Sequence, residues 1–152
     1  MEYASRLQRL IAFIIDVIIL AVIVGVLTAI GIVEFALTEE GEVSRTDNLI
    51  QALIVVAYYV ILTVAFGATL GKMAMGMRVV DSDGNKAGAG PVLIREVIAR
   101  AVGGLLTVVV GASIGQLVGL AVAIIIVIMI LFDERRQGLH DKVGGTFVVK
   151  AR

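Results

Sequence analysis

Residues 10–30, LIAFIIDVIILAVIVGVLTAI, run apolar apart from Asp16, Gly25 and Thr28, and no other feature constrains the fold so much. A hydrocarbon core of about 30 Å is crossed by roughly 20 apolar residues as helix. Residues 10–30 and 49–68 each supply that length. Composition agrees, because 59% hydrophobic residues, 17% charged residues and a mean hydropathy of +1.03 over 152 residues are too apolar for a soluble domain of this size. The expected fold class is an all-α membrane protein, read as a single domain over residues 1–152.

The first run is longer than the apolar part of a cleaved signal, carries Asp16 inside it and is followed by acidic residues rather than a small-residue cleavage site, so it reads as a retained anchor. The chain has no cysteine, which removes disulfides, thiol catalysis and thiolate metal ligation together. Its formal net charge is zero, which argues against nucleic acid as a partner. Where the charges sit says more. Residues 32–48 hold Glu34, Glu39, Glu40, Glu42 and Asp47 against one cation, Arg45, while the rest of the 13 basic residues lie elsewhere. The positive-inside rule then predicts a cell-membrane protein with cytoplasmic N-terminus, central loop and C-terminus.

That orientation bears on the third apolar block, residues 101–132. At about 1.5 Å per residue it reaches about 48 Å, long for one crossing and slightly short for two. A single crossing would export the basic tail. The expectation is therefore a four-helix transmembrane bundle with spans at 10–30, 49–68, 95–111 and 115–132, and three spans as the alternative. Pro91 suits the first position of the third helix, where its missing N–H is no loss, and Arg95 and Arg100 are placed to snorkel to the interface. The turn is expected within 111–116. If Gly111, Gly115, Gly119 and Ala123 instead form one small-residue packing face, it moves back to Gly103 and Gly104.

Ser5 and Gln8 fit a capping box at the start of the first helix. Residues 77–80 and 146–150 read as two short strands whose only stable use is to pair with each other on one side of the membrane, which again favours an even number of crossings. The DSDGN segment between them reads as a turn, since its glycine offset and lack of a terminal Glu break the calcium-loop spacing. GATLGK is one residue short of a phosphate loop and has Met73 where the hydroxyl belongs. Tyr58 and Tyr59 lie mid-span, so at least one hydroxyl is expected to point into the bundle.

Asp16 sets the chemical problem. It lies about 9 Å along the helix from Leu10, and an aspartate at the centre of a span costs roughly 2.5 to 3.5 kcal/mol unless a partner, water or a proton compensates it. Arg9 shares its face but sits too far along the helix for direct contact. A cation from another segment is the better candidate, with Lys72, Arg95 and Arg100 all near the boundary. The functional reading of Asp16 is an ion- or proton-binding carboxylate; the structural one is an ion pair that fixes helix register.

The segments RLIAFIID, GATLGKMAMGMRVVDSDGNK, IREVIAR and DERRQGLHDKVGGTFVV, in that order, resemble the RDD family of prokaryotic membrane proteins. The resemblance covers nearly the whole chain. It implies that Arg9 and Asp16 are the family's first arginine and aspartate, with Asp141 as the second aspartate and Asp133 a weaker match. It also implies transport of undefined ligands, with sodium/proton exchange in some members. His140 beside Asp141 invites a proton relay, against a simpler reading in which the pair caps or ties the tail. No metal site, cofactor or enzymatic nucleophile is expected. The partners expected are the lipid bilayer and either a second copy or another membrane protein. Two functions follow: transport of an ion or small ligand through Asp16, or a non-transporting scaffold or accessory subunit in which Arg9, Asp16 and Asp141 only organise the fold.

Overall fold

The computed structural model describes residues 1–32, 45–101 and 112–151. Helix α1 spans Arg6–Ala29. It starts at the capping box, where the Ser5 hydroxyl accepts from the Gln8 N–H at 3.0 Å and the Ser5 N–H donates to the Gln8 side chain at 2.9 Å, satisfying two groups a helix start leaves open. Helix α2 spans Arg45–Phe66, four residues earlier at its start than its apolar run. Gly67, at φ +76°, ends it in a conformation that favours glycine. The short helix α3 follows at Leu70–Ala74, then strand β1 at Met77–Val80. Helix α4, Ala89–Glu96, continues into a π-helical turn, Val97–Ala101. Helix α5 spans Ala112–Phe132, α6 spans Leu139–Val143, and β2 spans Phe147–Lys150.

Among the described residues three helical stretches are long and apolar enough to cross a membrane: Arg6–Ala29, Leu49–Phe66 and Ile114–Phe132. Their large side chains stand exposed along most of their length, among them Phe13, Val17, Val22, Leu53, Ile61, Leu117, Leu120 and Ile128. Apolar area this extensive belongs against lipid. The expected third span falls partly on residues 102–111, outside the described residues. Residues 112–116, expected to hold a turn, are instead helical from Ala112. This puts Gly115, Gly119 and Ala123 on one helix; Gly111 lies outside the described residues. Pro91 is not the first helical residue: Gly88 caps α4 and Pro91 lies one turn in, still among the positions whose N–H has no intrahelical acceptor.

Strands β1 and β2 pair antiparallel from Met77↔Lys150 to Val80↔Phe147. Asp81 makes the turn after β1, its carboxylate accepting from the N–H groups of Asp83 and Asn85 at 2.9 Å each, which is how aspartate shapes a turn through its own backbone. The N-terminal segment adds a third rung: Tyr3 bridges Val149, the Ala4 N–H donates to Val148, and the Lys150 N–H donates to Glu2. The buried apolar core lies at this end, where Ala4, Ala12, Met77, Val79, Ala87, Val92 and Val148 pack together.

Candidate functional site

Asp16 is 1% exposed, and its surroundings differ from the expectation of a cation partner. Three neutral donors hold the carboxylate: the Tyr58 hydroxyl at 2.7 Å, the Thr69 hydroxyl at 2.6 Å and the Gly71 N–H at 2.8 Å. No basic side chain touches it among the described residues. The donors come from α2, the loop after it, and α3. That loop works because Gly67 turns the chain sharply and Gly71 allows α3 to lie against α1. A methyl at Gly71 would meet the Ala12 carbonyl oxygen at 2.1 Å. Hydrogen bonds to a charged acceptor contribute about 1.5 to 3 kcal/mol each, enough in combination to offset the cost of placing the carboxylate there.

The cations gather on two other carboxylates. Asp141, on α6 and fully buried, meets Arg9 at 2.8 Å and Arg95 at 3.0 Å, and accepts from the Gly138 N–H at 3.2 Å. Burial opposes its ionisation, but the guanidiniums of Arg95 and Arg9 outweigh it and hold the carboxyl well below the usual aspartate range. Glu96, also fully buried, accepts from Arg100 at 2.9 Å. Arg95 Nε lies 2.9 Å from its other oxygen without hydrogen-bond geometry, so that contact is one of charge alone. Arg95 thus bridges the two acids, and it also donates to the Thr146 hydroxyl at 3.3 Å. The network joins α1, α4, the π-helical turn and α6.

His140 contacts Asp141 at 3.5 Å, but burial pushes the imidazole down to about 3. At neutral pH the pair is a neutral ring beside a carboxylate, and Nδ1 has no hydrogen-bond partner among the described residues. Asp133 stands apart from the network: its carboxylate accepts from the N–H groups of Arg135 at 3.0 Å and Gln137 at 3.1 Å and pairs with Lys142. The Lys142 side chain and the Gln137 N–H together pull it below its ordinary value.

Among the described residues Lys72, on α3, makes no ion pair. Its ammonium lies 5.9 Å from the centre of the Tyr59 ring, whose face is already covered by the Arg100 guanidinium at 3.2 Å. Burial, reinforced by nearby Arg95, pushes the ammonium down to about 7. The structure therefore brings Arg9, Arg95 and Asp141 together, ties in Arg100 through Glu96, and leaves Asp16 and Lys72 without direct charged partners among the described residues.

Two participants carry no expectation from sequence. Glu96 could have been found from REVIAR, where it follows Arg95 and precedes Arg100 by four residues, a spacing that pairs charges on a helix. Arg136, at φ +55°, donates to the carbonyls of Tyr3 at 3.1 Å and Ala4 at 3.0 Å while its own carbonyl accepts from Arg9; no local pattern marks it.

No curated protein and no solved structure matches the chain. The model of the RDD family matches residues 3–145, a stretch that includes α1 with Arg9 and Asp16, α4 with Arg95 and Glu96, and α6 with Asp141. This membrane chain belongs to the RDD family.

Proposed function

We propose that the chain is a multi-pass protein of the cell membrane that moves an ion or a proton through its polar interior, with Asp16 as the carboxylate the moving charge meets. The observation that carries this reading is the company Asp16 keeps. An ion pair with arginine would have to be broken before the carboxylate could take another charge. Hydroxyls of Tyr58 and Thr69 can instead rotate, since each both donates and accepts. An ionisable group inside a span is a functional site by default.

Four crossings suit this reading, with both termini cytoplasmic. The bridge from Tyr3 to Val149 and the pairing of β1 with β2 hold the N-terminal segment, the chain after α2 and the chain after α6 in one unit. An even number of crossings lies between parts that share a side. The chain from β1 to β2 contains α5, and an even count between the two strands calls for one further crossing. The short length of such a unit leaves little room for an enclosed path, and a second copy in the membrane would widen it.

The scaffold reading keeps one observation in its favour. The Arg9–Asp141–Arg95 network is closed, with both cations engaged, and needs no ligand to explain it. The two readings part in vesicles reconstituted with the purified chain. Under an imposed pH or sodium gradient, transport requires a flux that Asp16→Asn abolishes while insertion is retained. A wild-type chain that inserts fully and passes neither ion leaves the scaffold reading.

A further inference from the structure

We propose that Lys72 is the proton-exchanging group of this cluster. The assignment begins with charge matching. The guanidiniums of Arg9, Arg95 and Arg100 each contact Asp141 or Glu96 at 3.0 Å or less, and Asp16 is held by neutral donors. Three guanidiniums and three carboxylates already balance. Lys72 is the cation in excess among these groups, and the only one of them that can become neutral by losing a proton near neutral pH, since arginine stays charged.

Its surroundings favour that loss. Lys72 is half-buried on α3, facing Asp16 from α1, Tyr59 from α2, Arg95 and Glu96 from α4, and Arg100 from the π-helical turn. Arg78 on the adjoining strand is exposed. A ring face attracts a cation within about 6 Å, but Arg100 holds the Tyr59 ring at 3.2 Å and Lys72 stands at 5.9 Å. The ammonium therefore has partial burial and two guanidiniums against it, and among the described residues no contacting carboxylate in its favour. Burial and Arg95 lower its affinity for a proton, and Glu96 and Asp16 restore part of it. The step is a plain dissociation: the ammonium releases one proton to water, its nitrogen keeps the electron pair, and the cluster loses one positive charge.

This site deepens the transport reading, on which its use in proton movement rests, but the titration is read without any flux. The chain's lysines, Lys72, Lys86, Lys142 and Lys150, are labelled with carbon-13 at Cε in the full-length protein in lipid nanodiscs, and their resonances are followed against pH. The resonance missing from Lys72→Arg is expected to titrate with a midpoint near 7, well below the ordinary value of about 10.4 for a lysine in water. Lys72→Met makes the same assignment if the arginine variant fails to fold. Glu96→Gln is expected to move the midpoint lower, because it removes a carboxylate that favours the proton; a fall confined to Lys72 separates this coupling from general unfolding, which would return the midpoint to the ordinary value. A Lys72 resonance that titrates near about 10.4 in the wild-type protein overturns the proposal. A midpoint near 7 in a protein with no flux keeps the proton site and removes the transport reading, and flux with an ordinary Lys72 does the reverse.

Discussion

Replacing Gly71 by alanine puts a methyl carbon 2.1 Å from the Ala12 carbonyl oxygen and 2.9 Å from the Asp16 carboxyl carbon. Ordinary carbon–oxygen contacts lie at about 3.3 Å or more, so α3 must withdraw from α1 by roughly an ångström. The obstacle is helix backbone, which cannot swing aside as a side chain does. Withdrawal stretches the Gly71 N–H bond to Asp16 from 2.8 Å and the Thr69 bond from 2.6 Å. Overpacking costs about 1 to 3 kcal/mol, and each weakened bond to the carboxylate forfeits part of about 1.5 to 3 kcal/mol. The expected destabilisation is about 3 to 6 kcal/mol, a large share of the 5 to 15 kcal/mol typical of a folded protein. Gly25, in the same α1 but with nothing within 4 Å of an added methyl, is the control. Far-UV circular dichroism melts in detergent should show Gly71→Ala melting well below wild type and Gly25→Ala at or slightly above it. Equal melting of Gly71→Ala and wild type would refute the close approach of α3 to α1.

Asp141→Asn leaves Arg9 and Arg95 facing each other without the shared charge, and removing one partner of a buried pair costs about 3 to 5 kcal/mol; a loss below about 1 kcal/mol in the same melts counts against the network. Because the folded Asp141 carboxyl lies below its unfolded value, its stabilisation is complete above about pH 4 and fades only as pH falls toward the folded value. Acid titration of the wild-type melt should show that direction, and a contribution that grows on acidification would contradict it. The absence of native cysteine makes sidedness readable with single introduced thiols: an impermeant maleimide applied to intact cells should label Glu40→Cys and spare Ala151→Cys, and labelling of the latter reverses the orientation.

Much of this arrangement is legible in the sequence where the cause is local. The capping box at Ser5 and Gln8, the two apolar runs, the turn at Asp81 and the pairing of the two short strands all follow from neighbours a few residues apart. The burial of Asp16 is equally visible, since nothing polar surrounds it in α1. Its partners are not, because Thr69 and Gly71 stand 53 and 55 residues away and are neutral, whereas charge pairing alone points to cations. Arg9, Arg95 and Arg100 belong to the interior but settle on Asp141 and Glu96. Glu96 is not distinctive in sequence, because a glutamate flanked by arginines also describes an ordinary solvated helix face. The rung added by Glu2, Tyr3 and Ala4 is too short to show strand periodicity. Residues 101–132 carry no charge, and their glycines suit a turn as well as a packing face, so the run does not reveal where the chain turns.

The measurement that bears most directly on how the buried carboxylate is accommodated is a pair of double-mutant cycles on stability, one coupling Asp16→Asn with Tyr58→Phe and one coupling Asp16→Asn with Lys72→Met. With a 2.7 Å hydrogen bond from Tyr58 and no contact from Lys72, the tyrosine cycle should give a coupling of about 1.5 to 3 kcal/mol and the lysine cycle a clearly smaller one. A dominant coupling to Lys72, with Tyr58 near zero, would mean that a cation and not neutral donors holds Asp16 in place.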